Sequence, residues 1–233
     1  MQCVILAGGL GTRIAKVAAG VPKALIPVAG EPFAHHQLSL LARSGVTRVV
    51  YCIGHLGRAI RGYVGGGERW GLEVRYVDEG DRLRGAGGAL RLALDEGALA
   101  PAFLVLYGDS YLPIDYRAVW AAFERSGKPA LMTVFRNEER WDKSNVVFEN
   151  GQVILYDKRR RAPNMAYIDY GLSVLTRGVV EKHTAADLAD LYRQLSVSGE
   201  LAGHEVNERF YEIGSPAGLE DLRRYLATLV TSA

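Results

Sequence analysis

Up to about residue 125 the chain alternates short apolar runs with helix-like stretches, and this alternation restricts the fold more than any other feature. Gln2–Ala7, Val46–Ile53, Leu72–Val77 and Phe103–Tyr107 are brief, mostly apolar runs, the pattern of strands buried on both faces. Between and after them, Phe33–Arg43, His55–Tyr63, Gly85–Leu94 and Asp115–Arg125 read as helices. Strands that alternate with helices build parallel β-α-β units. The expected fold is therefore α/β: a Rossmann-like, mostly parallel sheet flanked by helices on both faces. Such sheets bind ligands at the carboxyl ends of their strands. Gly8-Gly9 and Gly108-Asp109 both fall just past a strand end, which places them on one edge.

The second half is less regular. Ala130–Phe135, Asn145–Phe148, Val153–Tyr156 and Ile168–Leu175 read as strands, with Asn150-Gly151 as a hairpin turn between two of them. Ala185–Leu195 and Pro216–Leu229 read as helices, the latter opened by Ser215 as cap and Pro216 in its first turn. No linker or internal repeat stands out. Residues 1–233 are expected to form a single domain whose second half adds a small substrate-binding β layer.

A net charge of +2 over 233 residues lacks the basic excess of a nucleic-acid-binding chain. An anionic ligand needs only a local positive site. The basic run Lys158–Arg161 is too short to alter this and reads as a solvated rim. Cys3 and Cys52 each lie inside an apolar run and are expected to be buried free thiols, with no disulfide or zinc site. His35, His36, His55, His183 and His204 show no metal-ligand spacing. No secretory leader and no membrane-length apolar run is visible, so the expectation is a cytoplasmic protein without membrane or nucleic-acid partners. A homo-oligomer stays open.

Leu6–Arg13 reads LAGGLGTR directly after a strand. Gly8, Gly9 and Gly11 let a phosphate approach the backbone N–H groups, Thr12 offers a hydroxyl, and Arg13 a forked cation. Lys23 adds a second cation ten residues on. The dinucleotide fingerprint is excluded because Ile14 holds the place of its third glycine, and the Walker loop because Gly-Lys-Ser/Thr is absent.

With Pro22–Phe33, PKALIPVAGEPF, this loop resembles the signature of sugar-phosphate nucleotidyltransferases, GGxGTR followed by PKxLxPVxGxP. GAGGAL at Gly85–Leu90, YGDSY at Tyr107–Tyr111, YDK at Tyr156–Lys158, DYG at Asp169–Gly171 and YEIGSP at Tyr211–Pro216 continue the resemblance in order through residue 216. The resemblance implies that Gly8, Gly9, Gly11, Thr12 and Arg13 grip a nucleoside triphosphate, with Leu6 and Ala7 beneath the base or ribose. It implies that Lys23 contacts phosphate and that Gly85 and Gly88 border the base. Asp109 becomes the expected magnesium ligand, with Glu212 standing where relatives carry the Asp of a DxG motif. Asp157, Lys158, Asp169 and Gly171 are implied at the sugar-phosphate site, with Lys143, Ser144 and Asn145 in the same wall.

The implied reaction joins a nucleoside triphosphate to a sugar 1-phosphate and releases pyrophosphate, with Mg2+ as cofactor. A phosphate monoester loses its second proton near pH ~6, so the nucleophile needs no general base. Catalysis then reduces to positioning and charge neutralisation by groups such as Arg13 and Lys23. The length resembles the short bacterial enzymes that use heptose 1-phosphate with GTP or N-acetylmuramic acid 1-phosphate with UTP, with the balance toward the first. No hexapeptide repeats of an appended β-helix follow residue 216. The alternatives are a cytidylyltransferase for a non-sugar phosphate such as phosphocholine, which would call for an aromatic cage, and a regulatory module that binds nucleotide sugars without turnover.

Overall fold

Four parallel strands carry the first half of the molecule: β1 (Gln2–Leu6), β2 (Arg48–Ile53), β3 (Glu73–Asp78) and β4 (Ala102–Tyr107). The computed structural model describes residues 1–9, 11, 14, 20–80, 82, 84–137, 141 and 143–231. Five further strands extend the same sheet: β5 (Ala130–Arg136), β6 (Val146–Glu149), β7 (Gln152–Tyr156), β8 (Tyr167–Thr176) and β9 (Leu201–Val206). The nine-stranded order is β3-β2-β1-β4-β8-β5-β9-β7-β6. The sheet also curls, so that β6 reaches β8 at the Tyr167–Val146 pair.

The expected α/β architecture is present, but the expectation of a mostly parallel sheet holds only for its first half. β8 pairs antiparallel with both β4 and β5, and β7 pairs antiparallel with β6 and β9. Short connections account for this. Gln152 follows Glu149 through Asn150-Gly151, both at positive φ (48° and 77°), a two-residue hairpin that reverses the chain. β9, parallel to β5, escapes a pattern-based reading because Gly203 interrupts it. A Cβ there would sit 2.4 Å from the Phe148 ring, so glycine makes room for that side chain.

Alternating side chains on the parallel strands feed two cores. Cys3, Ile5, Val49, Tyr51, Leu104 and Leu106 face one side, where they meet α1 (Phe33–Arg43), α2 (Gly57–Val64) and the helix Tyr116–Ser126. Val4, Val50, Cys52, Phe103 and Val105 face the other, against α3 (Gly85–Asp95) and two helices of the second half, Arg177–Lys182 and Leu188–Val197. In chain order the helix at Tyr116–Ser126 is α4, that at Arg177–Lys182 α5 and that at Leu188–Val197 α6; the last is α7 (Pro216–Thr231). Each fully buried aliphatic side chain contributes about 1.5–3 kcal/mol. Both cysteines are buried free thiols.

Caps fix the helix ends. Asp115 accepts from the N–H groups of Arg117 (2.9 Å) and Ala118 (3.2 Å). Asp187 accepts from Ala189 N–H at 3.0 Å, so α6 starts three residues later than the apolar pattern suggests. Ser215 caps α7, its Oγ accepting from Gly218 N–H at 3.0 Å.

The register aligns the carboxyl ends of the parallel strands. Leu6 pairs with Cys52 and Tyr107, and Ile53 with Asp78. The loops that follow β1, β2, β3 and β4 therefore leave from one edge. β8 runs the other way, with Leu172 opposite Leu106, so its first residues extend past that edge. At the end of β4, Gly108 donates its N–H to Leu6 O at 2.9 Å. A Cβ at this position would lie 2.7 Å from Ala7 Cβ and 2.9 Å from Leu6 O, so only glycine keeps the two strand ends flush. Gly108→Ala is expected to cost about 1–3 kcal/mol, measured as a lower urea midpoint. A midpoint equal to the unsubstituted chain's would mean that the edge yields freely at this point.

Candidate active site

Two cavities open along this edge and share Tyr107 and Asp109. The first, about 450 Å³, is walled by Leu6, Ala7, Gly8, Gly9 and Gly11 from the loop after β1 and by Gly85 and Ala86 at the start of α3. Lys23, Glu79 and the His55-Leu56 loop complete it. The second, about 520 Å³, lies over the β8 end of the sheet and is lined by Lys158, Asp169, Gly171, Asn145 and Glu212 together with Arg209 and Tyr211. Both volumes are in the range of small-molecule sites.

Asp109, shared by the two cavities, accepts at Oδ2 from Nζ of Lys23 in the wall of the first at 2.6 Å, both side chains about a quarter exposed (22% and 25%). Gly11, at φ 65°, lets the lysine stem pass, since a Cβ there would stand 3.2 Å from Lys23 Cε. The turn carrying Asp109 is held from three sides. Gln37, buried on α1, donates through Nε2 to Tyr107 O (3.1 Å) and Ser110 O (2.8 Å). Ile213 N–H donates to Asp109 O at 2.9 Å. Ser110 and Tyr111 pair with Glu212 and Tyr211 in a short antiparallel ribbon. Nothing in the sequence marks Gln37, because a polar residue in an amphipathic helix gives no sign of whether it faces water or a turn.

The residues expected at the triphosphate site divide. Leu6, Ala7, Gly8, Gly9, Gly11, Lys23 and Gly85 line the first cavity. Thr12 and Arg13 lie outside the described residues. Gly88 does not line it: a Cβ there would meet Arg84 Cβ at 2.6 Å, a contact within the start of α3. The loop's glycines also serve packing. Gly87 N–H donates to Ala186 O at 2.9 Å, and Cβ atoms at Gly85 and Gly87 would lie 2.6 and 2.0 Å from the carbonyls of Ala186 and Ala185. These glycines bring α3 against the loop before α6.

Among the acceptor-side expectations, Lys158, Asp169, Gly171 and Asn145 do line the second cavity. Ser144 is buried and accepts from Asn137 Nδ2 at 3.2 Å. Asp169 Oδ1 accepts from Gly171 N–H (3.0 Å), and Asn145 Oδ1 accepts from Asp169 N–H (3.0 Å), which fixes the bulge in β8. Burial raises the Asp169 pKa, and the Lys158 ammonium opposes that rise.

Asp157 does not line the cavity: Oδ1 accepts from the N–H groups of Arg159 and Arg160 (both 2.8 Å), and Oδ2 from Arg193 Nε (2.9 Å). An aspartate followed by a tight turn satisfies its own backbone before it can serve a ligand, and here it fixes the turn that presents Lys158. Glu212 lines the second cavity, yet its carboxylate is engaged by Gly214 N–H and the Ser215 hydroxyl, both at 2.5 Å. Gly218 leaves it room at the N-terminus of α7, where a negative charge is favoured. Among the described residues no three His, Cys, Asp or Glu side chains gather into a metal cluster, and no helix is long and apolar enough to cross a membrane.

The family assignment follows from comparison with known proteins. Residues 3–187 match the MobA-like NTP transferase domain, and the chain belongs to that family. It is 23% identical over 222 residues to the D-glycero-alpha-D-manno-heptose 1-phosphate guanylyltransferase of Aneurinibacillus thermoaerophilus, covering 93% of this chain and 94% of that one. It is 27% identical over 171 residues to the UTP--glucose-1-phosphate uridylyltransferase of Synechocystis, a match that takes in 68% of this chain but only 44% of that longer protein. In three dimensions it resembles HddC from Yersinia pseudotuberculosis, solved with GMP-PN, at a TM-score of 0.77 and 22% identity, over 97% of this chain and 99% of that one.

The Asp157 carboxyl is held below its ordinary pKa, first by the Arg160 N–H, with the Arg159 N–H and Arg193 adding to it. A depressed folded pKa stabilises above the normal carboxylate range and is lost as pH falls through the folded value. Asp157→Asn should therefore lower stability by about 1 kcal/mol at pH 7, and the gap should narrow at an acid pH below the ordinary carboxylate range. Chemical denaturation at the two pH values checks this; a gap independent of pH would assign the contribution to the turn and not to the charge.

Proposed function

We propose that the chain transfers the nucleotidyl group of a nucleoside triphosphate to a sugar 1-phosphate and releases pyrophosphate, with GTP and a heptose 1-phosphate as the leading pair. The observation that carries this reading is the junction of two cavities at Asp109, with the Lys23 ammonium of the first cavity paired to it. Two polyanions must meet for this reaction, and each is given its own chamber with a cation beside the boundary or, for Lys158, within the second wall. Glycine backbone bounds the first cavity, as close approach of phosphate requires. The second presents carboxylate, amide and lysine groups, a set suited to a hydroxylated phosphate ester.

In this reading a phosphate oxygen of the sugar, already anionic at neutral pH, attacks the α-phosphorus. The bond to the β-phosphate oxygen breaks in line, and pyrophosphate leaves with the electron pair. Lys23 and Arg13 neutralise charge on the triphosphate, and Lys158 anchors the acceptor phosphate. Asp169 and Asn145 hold sugar hydroxyls, and Asp157 acts one step back by fixing the turn under Lys158. The donor set suits magnesium, a hard cation that takes one or two carboxylates and fills its shell with water and phosphate oxygens. Asp109 would hold it, with Glu212, its oxygens engaged by Gly214 N–H and the Ser215 hydroxyl, as the second carboxylate of the same cavity. When bound, the ion would supply further neutralisation of phosphate charge.

Phosphocholine fits less well as the acceptor. Two aromatic residues of the second cavity already hold a cation: the Arg209 guanidinium lies 4.2 Å from the Trp141 ring centroid and 5.1 Å from that of Tyr211. Pyrophosphate release with a panel of triphosphates and sugar 1-phosphates tests the proposal. Asp109→Asn should cut kcat on the order of 100-fold or more with the melting temperature kept. Lys158→Ala should raise KM for the sugar phosphate on the order of tenfold while leaving KM for the triphosphate unchanged. A Lys158 variant impaired only toward the triphosphate would overturn the division of the two cavities.

A further inference from the structure

Trp141 lines the second cavity, and the reaction scheme gives it no role. It is 45% exposed, and no other Phe, Trp or Tyr among the described residues is exposed. The ring is nonetheless held in place. Its backbone N–H donates to Asn137 Oδ1 at 3.1 Å, and the buried Asn137 donates through Nδ2 to Ser144 Oγ at 3.2 Å, so one side chain ties the connection between β5 and β6 at two points. The Arg209 guanidinium lies over the indole at 4.2 Å and over the Tyr211 ring at 5.1 Å, and it donates to Asp221 on α7. Tyr211 stacks in turn on Tyr225, with centroids 4.4 Å apart and 23° between the planes. Tyr211 belongs to the ribbon that holds the Asp109 turn, so this series of contacts fixes the indole relative to the boundary where the phosphates would meet.

We infer that Trp141 is the platform on which the ring of the acceptor sugar lies, and that it selects a pyranose phosphate over an open-chain or quaternary-amine phosphate. The inference rests on the second cavity being the acceptor chamber. A pyranose is amphipathic: hydroxyls spread around its rim, while axial C–H groups give its faces apolar patches. The cavity divides in the same way, with Lys158, Asp169 and Asn145 as polar partners and Trp141 as the apolar one. The face of an aromatic ring is negative and a sugar C–H is slightly positive, so the two attract, and water leaves both surfaces. Because the guanidinium covers one face of the indole, a ligand meets the other. An open-chain polyol phosphate carries similar hydroxyls but has no rigid face to lay on a plane, and it loses more conformational freedom on binding. Phosphocholine brings a full positive charge, which the Arg209 guanidinium across the ring repels.

The test compares Trp141→Ala and Trp141→Phe with the unsubstituted chain. The site is exposed, so the fold should persist, as checked by melting temperature. Calorimetric titration with a heptopyranose 1-phosphate, mannopyranose 1-phosphate and mannitol 1-phosphate, in the presence of a non-hydrolysable triphosphate, is the readout. The unsubstituted chain should bind the two ring phosphates more tightly than the open-chain one by on the order of tenfold. Trp141→Ala should weaken the ring phosphates by roughly three- to tenfold and leave mannitol 1-phosphate and the triphosphate unchanged. Trp141→Phe, which keeps an aromatic face, should restore most of the loss. Equal binding of ring and open-chain phosphates by the unsubstituted chain, equal weakening of all three by Trp141→Ala, or no binding of either ring phosphate would each overturn the assignment. Pyrophosphate release is scored separately. Ring selectivity that depends on Trp141, without turnover of any sugar phosphate, would remove the transfer reaction and leave the platform; turnover with a ring-to-open-chain ratio unmoved by Trp141→Ala would remove the platform and leave the reaction.

Discussion

The turn at Gly108-Asp109 is the constraint on which the working edge depends. Its glycine keeps β4 level with β1, its aspartate meets Lys23, and its carbonyl receives the N–H of Ile213 from the segment that opens α7. Gln37 ties the same turn to α1 through two carbonyls. Strand, helix, ribbon and ion pair therefore converge within a few residues, and both cavities take their common boundary from that convergence.

The Lys23–Asp109 pair is well suited to a boundary that must change partners. A partly exposed ion pair contributes about 0–1 kcal/mol, because solvent already stabilises each charge. Releasing Asp109 toward a cation, or Lys23 toward a phosphate, thus costs the fold little. The deeper carboxylates behave differently. Asp157 is bound by two N–H groups and Arg193, and Glu212 by a backbone N–H and a hydroxyl, so both hold loops in place and neither is free to exchange in the same way.

The sequence discloses features governed by local rules. Buried parallel strands read as apolar runs, and α1 at Phe33–Arg43 matches its pattern to the residue. The Asn150-Gly151 hairpin and the Ser215 cap follow from turn and cap chemistry. What it hides is set by long-range pairing. The antiparallel insertion of β8 between β4 and β5 has no periodic signature, and β9 loses its pattern where Gly203 yields to Phe148. The same limit applies at the site. Motif order brings Lys23, Asp109, Lys158 and Asp169 to the two cavities, whereas Glu79, placed by the register of β3 beside β2, carries no motif. Asp157 stands beside Lys158 in sequence, yet backbone N–H groups capture its carboxylate.

The central claim is that nucleotide and acceptor occupy separate cavities and meet at Asp109. A crystal structure with a non-hydrolysable nucleoside triphosphate and a sugar 1-phosphate bound together tests it most directly. The account predicts the triphosphate along Gly8–Gly11, the sugar between Lys158 and Asp169, and the sugar phosphate in van der Waals contact with the α-phosphate beside Asp109. Both ligands in one cavity, or phosphates held apart with Asp109 contacting neither, would contradict it.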